Sequence, residues 1–200
     1  ITQLDLEQLL GSAEHRGRTD DSTAKPPDET QPGVGTLGSL QQPPRTVVML
    51  QCVGPWDEPY ATASFYCSRI CCSVATKNAL RLKRLHPETN VYILYNRDIR
   101  TYGFLESLYS EARQAGVIYL RYEEGARPTI DIDGEVQLSV RDEILGRNVA
   151  LRADLLVLSE ALTPADGSRD LADLLKFSCT LDGFFLEAHV KLQPVEFPSE

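Results

Sequence analysis

Apolar residues run without interruption through residues 46–50, and a run of that length reads as a buried strand. Residues 73–85 then carry apolar positions at helical spacing, and His86-Pro87 closes that helix. Residues 90–95 give a second strand. Residues 102–115 carry Phe104, Leu105, Leu108, Tyr109 and Ala112 as a helical stripe that stops at Gly116, and 117–120 make a third strand. The rhythm then changes. Residues 129–132 and 135–140 flank Asp133-Gly134, a hairpin signal, and a further short strand at 148–151 follows the turn at Gly146. Residues 155–159 return as a buried strand, and 165–177 hold a short helix. Strands that alternate with helices belong to a parallel sheet. The order therefore predicts an α/β domain, Rossmann-like and of the nucleotide-binding type, with an antiparallel β-meander inserted.

The chain before the first strand is different. Residues 1–10 place Leu4, Leu6, Leu9 and Leu10 among polar neighbours, enough for a short amphipathic helix expected to dock on a domain outside this chain. Residues 11–44 shift to Gly, Pro, Ser, Thr, Gln and mixed charge, which reads as a linker or disordered insert without secondary structure. The start at Ile1 and the stop at Glu200 suit one domain of a longer protein. The expected division is 1–10, 11–44, a domain over 45–180, and 181–200 as a segment leaving it.

Charge and hydropathy narrow the function classes. Lys and Arg number 20 against 29 Asp and Glu, a net charge of −9 with no basic stripe, which argues against a nucleic-acid partner. No apolar span is long enough for a membrane helix, and no signal-peptide pattern opens the chain. With clustered thiols and no secretory features, a cytoplasmic metal or redox site is expected rather than a disulfide scaffold.

The candidate chemistry lies between the first strand and the first long helix. Four of the five cysteines fall there as C-x14-C-x3-C-C: Cys52, Cys67, Cys71 and Cys72. A dinucleotide site needs a glycine-rich turn at this point, so that the pyrophosphate can rest on helix amides. Only Gly54 is available, so a domain binding NAD(P)H through another loop stands against the missing fingerprint. Four thiolates can hold zinc or an iron–sulfur cluster. Zinc sites are usually built from two C-x2-4-C knuckles, which this chain lacks. Adjacent Cys71 and Cys72 point about 100° apart on a helix, which suits a wide centre better than a point ion. A zinc-stabilised structural domain remains the other reading. Buried, unreactive thiols are the bland one, and a catalytic dithiol would need the absent C-x-x-C. Cys179 stands apart and reads as core.

With these residues in view, the sequence resembles the A-type subunit of heterodisulfide reductase and the related polyferredoxin flavoproteins. The matching stretches are Gln51-Cys52-Val53-Gly54, Tyr66-Cys67-Ser68-Arg69-Ile70-Cys71-Cys72, Lys77-Asn78-Ala79-Leu80, residues 91–95, residues 98–103 and residues 182–189. The resemblance implies a pyridine-nucleotide domain of the thioredoxin-reductase type, in which a four-cysteine [4Fe–4S] site takes the place of the nucleotide. It implies Cys52, Cys67, Cys71 and Cys72 as ligands. It also implies an FAD domain of the same polypeptide, outside this stretch, and further electron-transfer subunits as partners. The activity implied is electron transfer between flavin and cluster within a larger oxidoreductase, with no catalytic acid or base here.

Other residues are weighed beside these. Arg97, Asp98, Arg100 and Tyr102 follow the second strand and read as a charged loop held by local ion pairs. The functional reading has Arg69 or Arg100 donating hydrogen bonds near the cluster. His189 reads as packing at a seam with the flavin domain, His86 as a helix end, and Glu123-Glu124 as a solvated turn. No Ser/His/Asp or Cys/His set is placed for nucleophilic catalysis.

Overall fold

A computed structural model describes residues 1–16, 43–53, 67–123, 125–189, 192–193 and 195–198. The chain forms two compact units, Ile1–Val53 with Arg69–Glu160, and Gly54–Ser68 with Ala161–Glu200. In chain order the first unit runs α1 (Gln3–Arg16), β1 (Thr46–Val53), α2 (Cys71–Leu85), β2 (Asn90–Tyr95), a 3-10 turn at Gly103–Leu105, α3 (Glu106–Gln114), β3 (Ile118–Arg121), β4 (Thr129–Asp131), β5 (Val136–Asp142), β6 (Arg147–Ala153) and β7 (Leu155–Glu160). The second unit holds α4 (Ser168–Leu175).

Four strands pair in parallel in the order β3-β2-β1-β7. The apolar runs of β1, β2 and β7 follow from cover on both faces. On one face Val47, Met49, Val91, Ile93, Leu155 and Val157 pack with helix residues, among them Ala75, Ala79, Leu82 and Ala112. On the other, Val48, Leu94, Leu120 and Tyr122 meet Leu138, Val140, Leu151 and Ala153 of the antiparallel sheet β4-β5-β6. The result is a three-layer α/β unit of helices, parallel sheet and meander, as the strand-helix rhythm predicts. Ala75 and Ala79 are fully buried, and their small side chains let α2 lie close on the sheet.

The amino ends of the strands are tied together. The Asp154 carboxylate accepts from the Arg45 and Thr46 amides at 2.7 and 2.8 Å, and the Thr89 hydroxyl donates to the Pro44 carbonyl at 2.7 Å. With that edge held, strand alignment is fixed, and the carboxyl edge is left to carry a site.

Two expectations are corrected. The first helix extends to Arg16, six residues beyond its apolar pattern, and it does not dock elsewhere: Leu6 and Leu10 are buried in the core beneath α2. The first unit takes in the amino terminus and closes at Glu160. The Asp133-Gly134 hairpin is wider than a two-residue turn, since the last paired residues are Asp131 and Gln137. Residues 17–42 of the expected linker lie outside the described residues.

In the second unit, Phe177 stacks on Phe197 at 4.2 Å and meets Phe185 edge-on at 4.8 Å. Cys179 bridges to Phe185 beside this cluster.

Two tyrosines of the first unit set its alkaline limit. Burial pushes Tyr119 and Tyr122 up to about 12 from an ordinary 10.0. The unfolded chain ionises these phenols first, so the native state holds more protons in the interval between. Stability is therefore fully present below pH 10 and declines as the pH rises toward 12. Thermal melts across this range are expected to fall, and Tyr122→Phe is expected to make the fall shallower. An unchanged slope in the variant would show that Tyr122 ionises as it does in the unfolded chain.

Candidate functional site

The site begins where β1 stops being regular. Its register with β7 holds to Leu50 opposite Leu158 and resumes with Val53 opposite Glu160. Three residues on β1 thus advance against two on β7, which is a bulge, and bulges re-aim side chains at sheet rims. Cys52 lies within it at φ 58. A left-handed backbone at a non-glycine residue costs roughly 1–3 kcal/mol and persists only where the surroundings over-determine it.

Helix α2 begins directly over this edge. Arg69 turns the chain at φ 64, and Ile70 takes the N-cap position without a side-chain cap; no acid follows in the first turn. The amino end of a helix favours negative charge, and no acidic side chain of the first turn stands there. Cys71 and Cys72 are the first two helical residues, and they diverge as helical geometry requires. The Cys71 thiol reaches the Glu160 carbonyl at the end of β7, at 3.9 Å, and the Cys72 thiol reaches the Asp98 carbonyl beyond β2, at 3.9 Å. The Ser73 hydroxyl donates to the Arg100 carbonyl at 3.5 Å.

Cys52, Cys71 and Cys72 thus share the carboxyl edge of the parallel sheet, beside the β1–β7 boundary where strand order reverses. Open α/β sheets bind ligands at that crevice. Cys72 is 8% exposed, while Cys52 and Cys71 are half-buried. Cys67 belongs to the second unit, half-buried next to Ser68, whose hydroxyl accepts from the Leu162 amide at 2.9 Å. Gly54 and residues 55–66 lie outside the described residues. None of the five cysteines is in a disulfide. Among the described residues no three His, Cys, Asp or Glu side chains stand together at metal-holding distance.

The loop after β2 reaches α2. Asp98 and Arg100 meet α2 through their backbone carbonyls, and Tyr102 is 67% exposed. His86 closes α2 with its amide on the Leu82 carbonyl at 2.8 Å. The His189 imidazole accepts from the Leu192 amide at 3.1 Å, which holds it in a local turn of the second unit. Glu124 lies outside the described residues.

Sequence reasoning missed a buried polar group beneath α2. The Asn78 amide donates to the backbone and side-chain carbonyls of Gln3 at 3.2 and 3.0 Å, and the Gln3 amide donates to the Ser159 hydroxyl at 3.2 Å. Gln51, one residue before Cys52, is 1% exposed; among the described residues neither its Nε2 nor its Oε1 has a hydrogen-bond partner. The signal was available: a glutamine continues the inward alternation of Val47 and Met49.

No family model matches the chain. It is 34% identical over 217 residues to the A-type subunit of the ferredoxin:CoB-CoM heterodisulfide reductase of Methanosarcina acetivorans, covering 98% of this chain and 26% of that protein. It is 38% identical over 200 residues to the A-type iron-sulfur subunit of the CoB–CoM heterodisulfide reductase of Methanocaldococcus jannaschii, covering 98% and 27%. A heterodisulfide reductase A-like protein of Archaeoglobus profundus is 32% identical over 209 residues, covering 100% and 29%. Among solved structures, T. acidophilum thioredoxin reductase overlaps 75% of this chain and 41% of its own at a TM-score of 0.40 and 16% identity. The chain spans about a quarter of the length of the curated relatives it matches. Over nearly all of its residues, the chain is thus similar to one stretch of these heterodisulfide reductase A-type subunits.

Proposed function

We propose that the chain is an electron-transfer domain of an FAD-dependent iron–sulfur oxidoreductase of the heterodisulfide reductase A type, with Cys52, Cys67, Cys71 and Cys72 as ligands of a [4Fe–4S] cluster. The observation that carries this is the placement of Cys52, Cys71 and Cys72 along the carboxyl edge of the sheet, at the amino end of α2. The donor set fits the group. Thiolates select iron–sulfur clusters and zinc over harder ions, and an anionic centre is favoured beside a helix amino end. When bound, such a cluster takes up and returns one electron.

The chain's own part is geometry and electrostatics. The bulge aims Cys52, the first turn of α2 spreads Cys71 and Cys72 toward the ends of β7 and β2, and the tied amino edge keeps those strand ends aligned. The flavin domain of the same polypeptide and further electron-transfer subunits are the partners of this reading. Residues 181–200 would lead toward that flavin domain. A cytoplasmic setting agrees with five cysteines outside disulfides, and among the described residues no helix is long and apolar enough to cross a membrane.

Anaerobic reconstitution followed by assay of iron, sulfide and zinc per chain tests the reading. About four irons with matching sulfide, and an EPR signal on reduction with dithionite, are expected. One zinc and a silent spectrum would overturn it in favour of a structural metal domain.

A further inference from the structure

We infer that the buried side-chain amide of Gln51 donates a hydrogen bond to the sulfur centre held by the neighbouring cysteines, and so acts as a positioning residue that raises its reduction potential. This rests on the iron–sulfur reading above. A buried amide is ordinarily satisfied, because water lost on folding must be replaced. Beneath α2, by contrast, the buried Gln3 links the buried Asn78 and Ser159 through hydrogen bonds. Gln51 follows Leu50 just as Ser159 follows Leu158, the residue paired with Leu50, yet the Ser159 hydroxyl is engaged by Gln3 and not by Gln51. Its 1% exposure leaves no solvent to answer it.

The partner must come from a group the described residues do not supply. Gln51 continues the alternation of Val47 and Met49 toward the face covered by α2, whose first turn carries Cys71 and Cys72. Cluster sulfurs are acceptors without hydrogens of their own, which suits the two hydrogens of Nε2. A hydrogen bond to sulfur favours the more negative, reduced form and therefore raises the potential. The rival occupant is a buried water held by Gln51.

The test compares wild type, Gln51→Met and Asn78→Leu, each reconstituted anaerobically. Iron and sulfide are assayed, the potential is read by EPR-monitored titration, and the iron-free forms are melted. Gln51→Met is expected to keep its iron and to become about tenfold harder to reduce, a potential about 59 mV lower for one electron. Its iron-free form is expected to melt no lower than wild type, because an apolar isostere replaces two unpaired groups. Asn78→Leu is expected to show the reverse, a lower melting point with an unchanged potential. An unchanged potential in an iron-loaded Gln51→Met protein would overturn this inference alone. A lower melting point of its iron-free form would do so too, and would identify a structural water. A wild type that takes up zinc but no iron would remove the iron–sulfur reading and this inference with it.

Discussion

Cys72→Ser is expected to leave the protein folded and unable to retain its iron and sulfide, whereas Cys179→Ser is expected to keep both. The first half follows from where Cys72 sits. It is the most buried of the four candidate thiols, in the first turn of α2, with its sulfur on the Asp98 carbonyl. A serine hydroxyl is smaller and still donates to that carbonyl, so the local fold has nothing to lose beyond a fraction of a kcal/mol, on the order of an ordinary mild substitution. A hydroxyl is however a hard, weakly acidic donor, and iron–sulfur centres are held by thiolates. The second half follows from Cys179 lying in the other unit's backbone bridge to Phe185, beside the aromatic cluster. Iron and sulfide per chain, together with far-ultraviolet circular dichroism, separate the two variants. Equal iron in Cys72→Ser and wild type would remove Cys72 from the ligand set, and loss of iron in Cys179→Ser would mean the set had been drawn wrongly.

What the sequence revealed, and what it hid, divides along physical lines. The strands at 46–50, 90–95 and 155–159 were legible because a sheet covered on both faces needs apolar residues at every position. The meander was legible from alternation and from its glycine turns, since Gly134 and Gly146 both adopt positive φ. The cysteine cluster stood out in the sequence by its spacing alone. The bulge was not, because nothing in Leu50-Gln51-Cys52-Val53 announces a left-handed cysteine, a conformation usually reserved for glycine. Nor could the contact of the loop after β2 with α2 be read, because it is made by the carbonyls of Asp98 and Arg100. Backbone contacts have no side-chain signature. Gln51 stood in plain sight, but a single polar residue at the end of an apolar run looks like a strand boundary until burial shows it to be inside.

The same limit explains the first helix, and gives the largest stability effect to be expected. Amphipathic spacing says that one face of α1 is buried without saying against what. In the structure Leu6 is 2% exposed and Leu10 5%, packed in one cluster with Met49, Ala79 and Val157. Thr2 bridges to Leu158, and the Leu158 amide donates to the Ile1 carbonyl at 2.8 Å, so this segment also covers the open edge of β7. Leu6→Ala removes a fully enclosed side chain and leaves a cavity, which costs roughly 2–5 kcal/mol. Leu4, 64% exposed on the same helix, has nothing comparable to lose, and its alanine variant should stay within about 0.5 kcal/mol of wild type. The Lys77–Glu7 ion pair at 2.6 Å is nearly half exposed at both ends and adds little, so Glu7→Gln should resemble Leu4→Ala. Urea unfolding of the three variants decides the matter. A midpoint for Leu6→Ala no lower than that of Leu4→Ala would mean that α1 is not docked on this sheet in solution, and that the buried amides of Gln3 and Asn78 are satisfied some other way.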